Sequence, residues 1–290
     1  MSVFHHDYQA FTGRVTPLWT RPLVLARYGL KEVWASKIAV GLLVLSLLPP
    51  IVFLVMIYLA DNPVARALVG RESDLITINE RFFLRLLATQ CWLALVLAAW
   101  IAPRLIASDL ADNALPILLS HPISRFSYIF GKFLALITSL SYVTWIPCIV
   151  LFLYQCYSSP QPWTLAHLPL GMGMMAGALL WIALLSLLGL AVSSWVKWRV
   201  VATGAIFAVV FVPAGVGGIA NAILRTRWGF LLNIPVMMSE VWQRLLGAPA
   251  ILNSRMSMPT PAIAAVLILA SLVFAAMLNA RIRAREVVRG

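Results

Sequence analysis

The chain has 290 residues, of which 62% are hydrophobic and 11% are charged, and its formal net charge is +12. Soluble domains carry about 25% charged residues, so the composition excludes a soluble globular domain and indicates an integral membrane protein embedded in a lipid bilayer. The apolar tracts are continuous, whereas the strands of a membrane barrel alternate apolar and polar residues over about ten positions. We therefore predict an all-α polytopic membrane protein.

The N-terminal region, residues 1–37, is predicted to be a cytoplasmic tail followed by an amphipathic elbow helix. Such a helix is expected to lie in the membrane interface with its charges toward the cytoplasm, and a plain lead-in to the first span is the alternative. Its apolar stripe, at helical spacing, consists of Leu23, Ala26, Leu30, Val33 and Trp34. The charged residues that we expect to reach a cytoplasmic partner are Arg27, Lys31 and Glu32.

Residues 38–280 form the predicted transmembrane domain. A helix needs about 20 apolar residues to cross the hydrocarbon core, so the long tract 133–196 must be divided, and its turn signal lies at 158–162. The six predicted spans lie near 38–60, 84–106, 133–155, 169–194, 200–222 and 261–280. Residues 281–290 follow as a basic cytoplasmic tail.

Two further features concern helix packing. Gly173 and Gly177 are four residues apart in the fourth span, a spacing that permits close approach of another helix. The last outer loop, residues 223–260, contains an apolar, tryptophan-bearing segment at 228–235, followed by a predicted helix near 236–246. The segment 228–235 is too short to cross the membrane, and we expect it to dip into the outer interface.

The distribution of the basic residues predicts the orientation. With both termini inside, 14 of the 22 lysine and arginine residues, including every lysine, lie on the cytoplasmic side and 8 on the outer side. The positive-inside rule therefore favours cytoplasmic termini for a multi-pass protein of the cell (inner) membrane. The net charge reflects this topology, and we expect no nucleic-acid partner.

The segment 106–132 is a polar interruption between the second and third spans. Its central apolar run is too short to cross the membrane and is expected to form a helix on the membrane surface. Pro116 is expected to kink this helix or to start a second turn, and Pro122 to end it. Ser124 is expected to cap the third span. From these residues alone, the segment is either a loop that turns the chain back or a docking surface for a partner.

The order of residues in this segment resembles the first cytoplasmic loop of the type-2 ABC transporter permease family. Six spans, cytoplasmic termini and an N-terminal amphipathic helix agree with that family as well. The matching residues are Ile106, Ala107, Asp109, Asp112, Leu115, Leu118, Leu119, Pro122, Ile123, Ser124, Arg125, Tyr128, Gly131 and Lys132. The chain departs from the family pattern at Asn113, Ala114 and Pro116.

The resemblance implies that this segment is a coupling helix seated on a separate ABC ATPase subunit. The residues that it places in this contact are Asp109, Asp112, Asn113, Leu115, Pro116, Leu119, Pro122, Ser124 and Arg125. The chain lacks a Walker-type loop for nucleotide phosphates, so ATP and Mg²⁺ are expected on the partner. No cofactor or metal site is expected on this chain, and six spans imply a second permease copy or a paralogue.

The predicted function is therefore the membrane-spanning subunit of an ATP-driven ABC transporter, an exporter by analogy with the family, without enzymatic activity of its own. An ion-coupled secondary transporter and a membrane-embedded assembly factor are the alternatives. An ion-coupled carrier usually has charged residues within its spans, and here the main polar residues of the apolar tracts are Gln90, Asn221 and Asn279. An intramembrane enzyme is disfavoured because all four histidines, His167 included, fall outside the predicted spans.

Overall fold

The computed structural model describes residues 17, 20–62, 77–111, 124–159, 161–249 and 258–286. Their regular structure is entirely helical, and six helical units are long and apolar enough to cross a membrane. This confirms the all-α class and the number of spans. The N-terminal helix is Arg21–Ala35, and the six spans consist of Lys37–Leu45 with Leu48–Asp61, Glu80–Ala111, Arg125–Ser141 with Trp145–Ser158, Gln161–Trp195, Arg199–Leu224 and Thr260–Glu286.

Polar side chains begin several of these helices by accepting hydrogen bonds from otherwise unpaired backbone N–H groups. Ser36 separates the N-terminal helix from span 1, and its hydroxyl accepts from the amide of Ala39 at 3.3 Å. Ser124 accepts from the amide of Ser127 at 3.1 Å and begins span 3. The predicted cap at Ser124 is thus confirmed.

Spans 2 and 4 form the centre of the bundle. About two thirds of each is buried within the chain, compared with 22% of spans 1 and 5 and 11% of span 6. The indole of Trp181 on span 4 donates a hydrogen bond of 2.8 Å to the carbonyl of Cys91 on span 2. A buried indole N–H needs such a partner, so this bond fixes the register of the two central helices.

Span 1 is interrupted near the middle, and span 2 compensates for the interruption. Pro50 has no N–H to donate to the carbonyl of Ser46, which therefore lacks its helical partner. The side chain of Gln90, fully buried on span 2, donates to that carbonyl at 3.2 Å. The polar residue in the middle of span 2 therefore satisfies the backbone of span 1, which is a structural role.

Several helices extend further than the sequence predicts, and spans 2 and 4 are two of them. The helix of span 2 runs from Glu80 to Ala111, and the helix of span 4 begins at Gln161 and contains His167. The expectation that His167 lies outside the spans is wrong, because span 4 includes it near its first turn. Hydropathy locates the apolar part of a helix, whereas backbone hydrogen bonds continue into polar residues beyond it.

The bundle has two ends, which we name by their residues. The terminal end contains the N-terminal helix, Ala111, Arg125, Trp195 and Arg199, and the loop end contains Asp61, Glu80 and Ser158. A short 3-10 helix, Trp228–Leu232, and the loop helix Ile234–Leu246 follow span 5 at the loop end. The predicted helix near 236–246 is therefore confirmed.

The loop helix packs against the two glycines that were predicted to allow close approach. A Cβ atom on Gly173 would lie 2.3 Å from the carbonyl oxygen of Leu245, and one on Gly177 would lie 2.7 Å from the ring of Trp242. The indole of Trp242 donates to the carbonyl of Gly177 at 3.1 Å. The Gly173–Gly177 pair thus joins span 4 to the loop helix of the same chain.

We predict opposite effects for two glycine substitutions on different spans. Gly173→Ala introduces a clash with a backbone carbonyl and is expected to destabilise the chain by about 1–3 kcal/mol. Gly204 has no atom within 4 Å of an added Cβ, so Gly204→Ala is expected to stabilise by up to about 1 kcal/mol through helix propensity. Thermal unfolding of the detergent-solubilised variants checks both signs, and equal effects would contradict this packing.

Candidate functional site at the terminal end

The N-terminal helix runs along the first half of span 3 in the same direction. A Cβ atom on Gly131 would lie 2.6 Å from the Cβ of Leu25, and one on Gly29 would lie 2.9 Å from the Cβ of Ala135. Further along, the rings of Trp34 and Tyr142 meet edge to face with centroids 6.0 Å apart. The two helices therefore stay in contact over nearly the whole length of the N-terminal helix.

The buried face of the N-terminal helix differs from the predicted apolar stripe. Ala26 and Val33 are buried as predicted, but Leu23 and Trp34 are each about half exposed. Pro22 and Gly29 take their places in the contact with span 3. Small residues occupy the contact with span 3 because they allow the two helix backbones to approach more closely than leucine or tryptophan does.

An ion pair joins span 2 to span 3 at the same level. The ammonium of Lys132 lies 2.8 Å from a carboxylate oxygen of Asp109, and their side chains are 9% and 17% exposed. The hydroxyl of Tyr128, fully buried one turn before Lys132, donates to the same oxygen at 2.7 Å. Two partners on one helix face therefore hold the carboxylate of Asp109 at the end of span 2.

The N-terminal helix adds a second carboxyl group, that of Glu32. Burial raises the pKa of Glu32 above its ordinary value, and the negative charge of Asp109 raises it further. The positive charges of Lys132, Arg199 and Arg104 act in the opposite direction. We define the terminal cluster as these six residues from four helical units of the chain: Glu32, Arg104, Asp109, Tyr128, Lys132 and Arg199.

The structure places the residues of the predicted ATPase contact as follows. Asp109 belongs to the terminal cluster, Ser124 caps span 3, and Arg125 is the first residue of span 3. The elbow-helix residues Arg27 and Lys31 are exposed, whereas Glu32 is partly buried. The remaining predicted residues, Asp112, Asn113, Leu115, Pro116, Leu119 and Pro122, lie outside the described residues.

Two residues of the cluster were present in the sequence motif but were not predicted as site residues. Tyr128 and Lys132 are four residues apart on span 3, which puts both on one helix face. The sequence does contain a signal for the ion pair of Asp109 and Lys132. The lysine lies near the start of an apolar span, one turn after a tyrosine, and the aspartate lies near the end of the preceding span. Gly131 between them provides the space for the N-terminal helix.

These features define the class of the protein. It is a polytopic membrane protein whose described residues form six helical spans, and span 2, span 3 and the N-terminal helix are in contact at one end. Residues 42–277 match the sequence profile of the family described as ABC-2 family transporter protein, and the chain belongs to that family. The resemblance found in the sequence is therefore confirmed, and no curated protein matches the chain.

We predict that Asp109 and Lys132 depend on each other for stability. Removing one member leaves the other charge poorly solvated, so Asp109→Ala or Lys132→Met is expected to cost about 3 kcal/mol, and the double variant less than the sum. Thermal unfolding of the three variants checks this coupling. Glu80→Gln is the control, because the Glu80 side chain is 39% exposed and lies 3.9 Å from His167. Additive costs in the double variant would contradict the pair.

We predict that Glu32→Gln is more stable than the native chain at neutral pH. A carboxyl group with a raised pKa in the folded state stabilises the fold when protonated, below its unfolded pKa of about 4. That contribution is lost as the pH rises through the folded pKa. The advantage of Glu32→Gln is therefore expected at pH 7 and expected to vanish near pH 4 in thermal unfolding followed across this range. A pH-independent difference would contradict a buried carboxyl at Glu32.

Proposed function

We propose that the chain is the membrane-spanning subunit of an ATP-driven exporter whose terminal end faces the cytoplasm and binds a separate ABC ATPase. Membership in the ABC-2 family makes the chain an ABC permease subunit. The observation that carries the finer proposal is the ion pair of Asp109 and Lys132. It holds together the two helices that lead into and out of the predicted coupling segment.

Within the coupling segment, residues 106–132, the chain leaves span 2 after Ala111 and enters span 3 after Ser124. Asp109 lies two residues before the departure, and Tyr128 and Lys132 lie on the first two turns after the return. A force applied to the segment therefore acts on both spans at once, because their ends are joined by a charge-assisted contact. This geometry supports a role for residues 106–132 in transmitting movement from a partner.

The N-terminal helix extends this connection to span 1. It packs on span 3 through Gly29 and Gly131, and only Ser36 separates it from span 1. Displacement of the start of span 3 is thus expected to reach span 1 through a rigid contact and a single extended residue. The predicted contact of Arg27, Lys31 and Glu32 with a partner is compatible with this arrangement and stays a prediction.

The charges at the terminal end support its cytoplasmic orientation. Basic residues end or begin the spans there, and the rule of positive cytoplasmic loops applies to such positions. Arg281 at the end of span 6 lies with its guanidinium 5.2 Å from the ring of Trp195, and its Nε donates to the carbonyl of Ser194 at 3.3 Å. We propose that both chain termini lie in the cytoplasm and that the membrane is the inner membrane.

The energy source in this proposal is nucleotide bound by the partner. ATP and Mg²⁺ are expected on the ATPase, whose association and dissociation would move the coupling segment. Six spans per chain and the low burial of spans 1, 5 and 6 leave apolar surface for lipid and for a second permease copy or paralogue. We include that second copy in the proposed complex.

Site-specific crosslinking tests the proposal. A photo-crosslinking residue at Asn113, in the coupling segment, is expected to capture a protein that contains a Walker-type loop, identified by mass spectrometry. The same residue at Tyr157, which is 90% exposed at the loop end, is the control and is expected to capture none. Equal capture at both positions would contradict the assignment.

ATP hydrolysis provides the functional measurement. The purified chain is expected to show no ATPase activity, and activity is expected when the captured ATPase is added. Asp112→Ala and Arg125→Ala are expected to reduce the ATPase rate of the complex about tenfold, which corresponds to about 1.4 kcal/mol of activation free energy. Hydrolysis by the purified chain alone would overturn the proposal.

A further inference from the structure

An apolar groove between spans 1 and 3 opens on the surface of the bundle. Its volume is about 500 Å³, and every residue that lines it is aliphatic, aromatic or proline. Both spans are interrupted beside it, at residues 46–47 and 142–144. Pro50 and Pro147, which belong to these interruptions, both line the groove.

The groove lies where regular helix is interrupted in both spans. Pro50 cannot donate a backbone hydrogen bond within span 1, and Gln90 of span 2 donates to the unpaired carbonyl of Ser46 instead. Span 3 is interrupted at residues 142–144, before Pro147. The second halves of spans 1 and 3 are in contact, and the groove is the space that remains beside this contact.

The dimensions of the groove fit one hydrocarbon chain. Its lining extends over residues 40–54 of span 1 and 142–151 of span 3, and the shorter wall, on span 3, corresponds to about 14 Å at 1.5 Å per residue. One leaflet contributes about 15 Å of hydrocarbon to a membrane. An acyl chain that enters from the terminal end therefore fits within the groove along nearly its full length.

Two lysines precede the lining residues of the N-terminal helix and of span 1 in the chain, on the side of the groove toward the start of span 1. Lys37 shares a helix face with the lining residues Val40 and Val44, since these positions follow at i+3 and i+7. Lys31 precedes the lining residue Trp34 by three positions, and its ammonium lies 5.4 Å from the ring of Tyr28. Both lysines are exposed, and neither forms an ion pair with another of the described residues.

We propose that this groove is a binding site for an anionic phospholipid of the leaflet at the terminal end, with one acyl chain between spans 1 and 3 and the phosphate beside Lys31 and Lys37. The apolar lining provides affinity for any chain of suitable length. The two lysines provide the preference for an anionic headgroup, because a cation at the membrane surface attracts anionic lipid by about 1 kcal/mol. The site requires no ATPase, so its test is independent of the proposed transport function.

The charge of the headgroup is tested by native mass spectrometry of the full chain in mild detergent. Phosphatidylglycerol is compared with phosphatidylethanolamine of the same acyl chains. Phosphatidylglycerol is expected to bind more tightly, and Lys37→Gln and Lys31→Gln are each expected to weaken its binding about fivefold. Lys197→Gln, at the same end but outside the groove, is the control and is expected to leave binding unchanged.

The groove itself is tested by adding bulk. Val44→Trp, at a lining position that is 62% exposed, is expected to reduce the binding of both lipids at least tenfold. Leu269→Trp, at a similarly exposed position on span 6, is the matched control. Equal binding of the two headgroups in the native chain, or unchanged phosphatidylglycerol binding in both Lys37→Gln and Val44→Trp, overturns the proposal. A change from dimer to monomer in Val44→Trp without bound lipid would assign the groove to a second copy instead.

Discussion

The architecture at the terminal end depends on the placement of one carboxylate. Asp109 lies two residues before the end of span 2, in a partly buried position where an unpaired negative charge would be costly. Lys132 and Tyr128 both reach the same carboxylate oxygen from span 3. This contact fixes the distance and register between the two spans, and the space left by Gly131 then allows the N-terminal helix to pack on the pair. The geometry of three helical units follows from how one charge is satisfied.

The number and approximate position of the spans could be predicted because hydropathy is a local property. The continuous apolar tracts and the turn signal near residue 160 identify six helices without any knowledge of their neighbours. The cap at Ser124 is also local, since it depends on a side chain and an amide three residues later. The same local character explains why spans 2 and 4 are longer in the structure than hydropathy predicts. Polar residues continue each helix beyond its apolar part.

The packing partners of the helices could not be predicted because they depend on residues far apart in the sequence. The exposure of Trp34 and the burial of Gly29 follow from the shape of span 3, and periodicity within the N-terminal helix favours the larger apolar residues instead. The Gly173–Gly177 spacing correctly indicated close packing. Only the structure shows that the contact is the loop helix of the same chain, through Trp242 and Leu245.

The basic residues at the terminal end have different roles, although a count of positive charges does not distinguish them. Lys132 is buried, and its ammonium belongs to the pair with Asp109, so it contributes to the joint between spans 2 and 3. Lys37 is exposed and continues the helix face of an apolar groove, where its charge is available to a group outside the chain. The positive-inside rule uses both residues equally to assign orientation. The burial of each ammonium group and its partner distinguish Lys132, which has a structural role, from Lys37, whose charge can interact with a lipid headgroup.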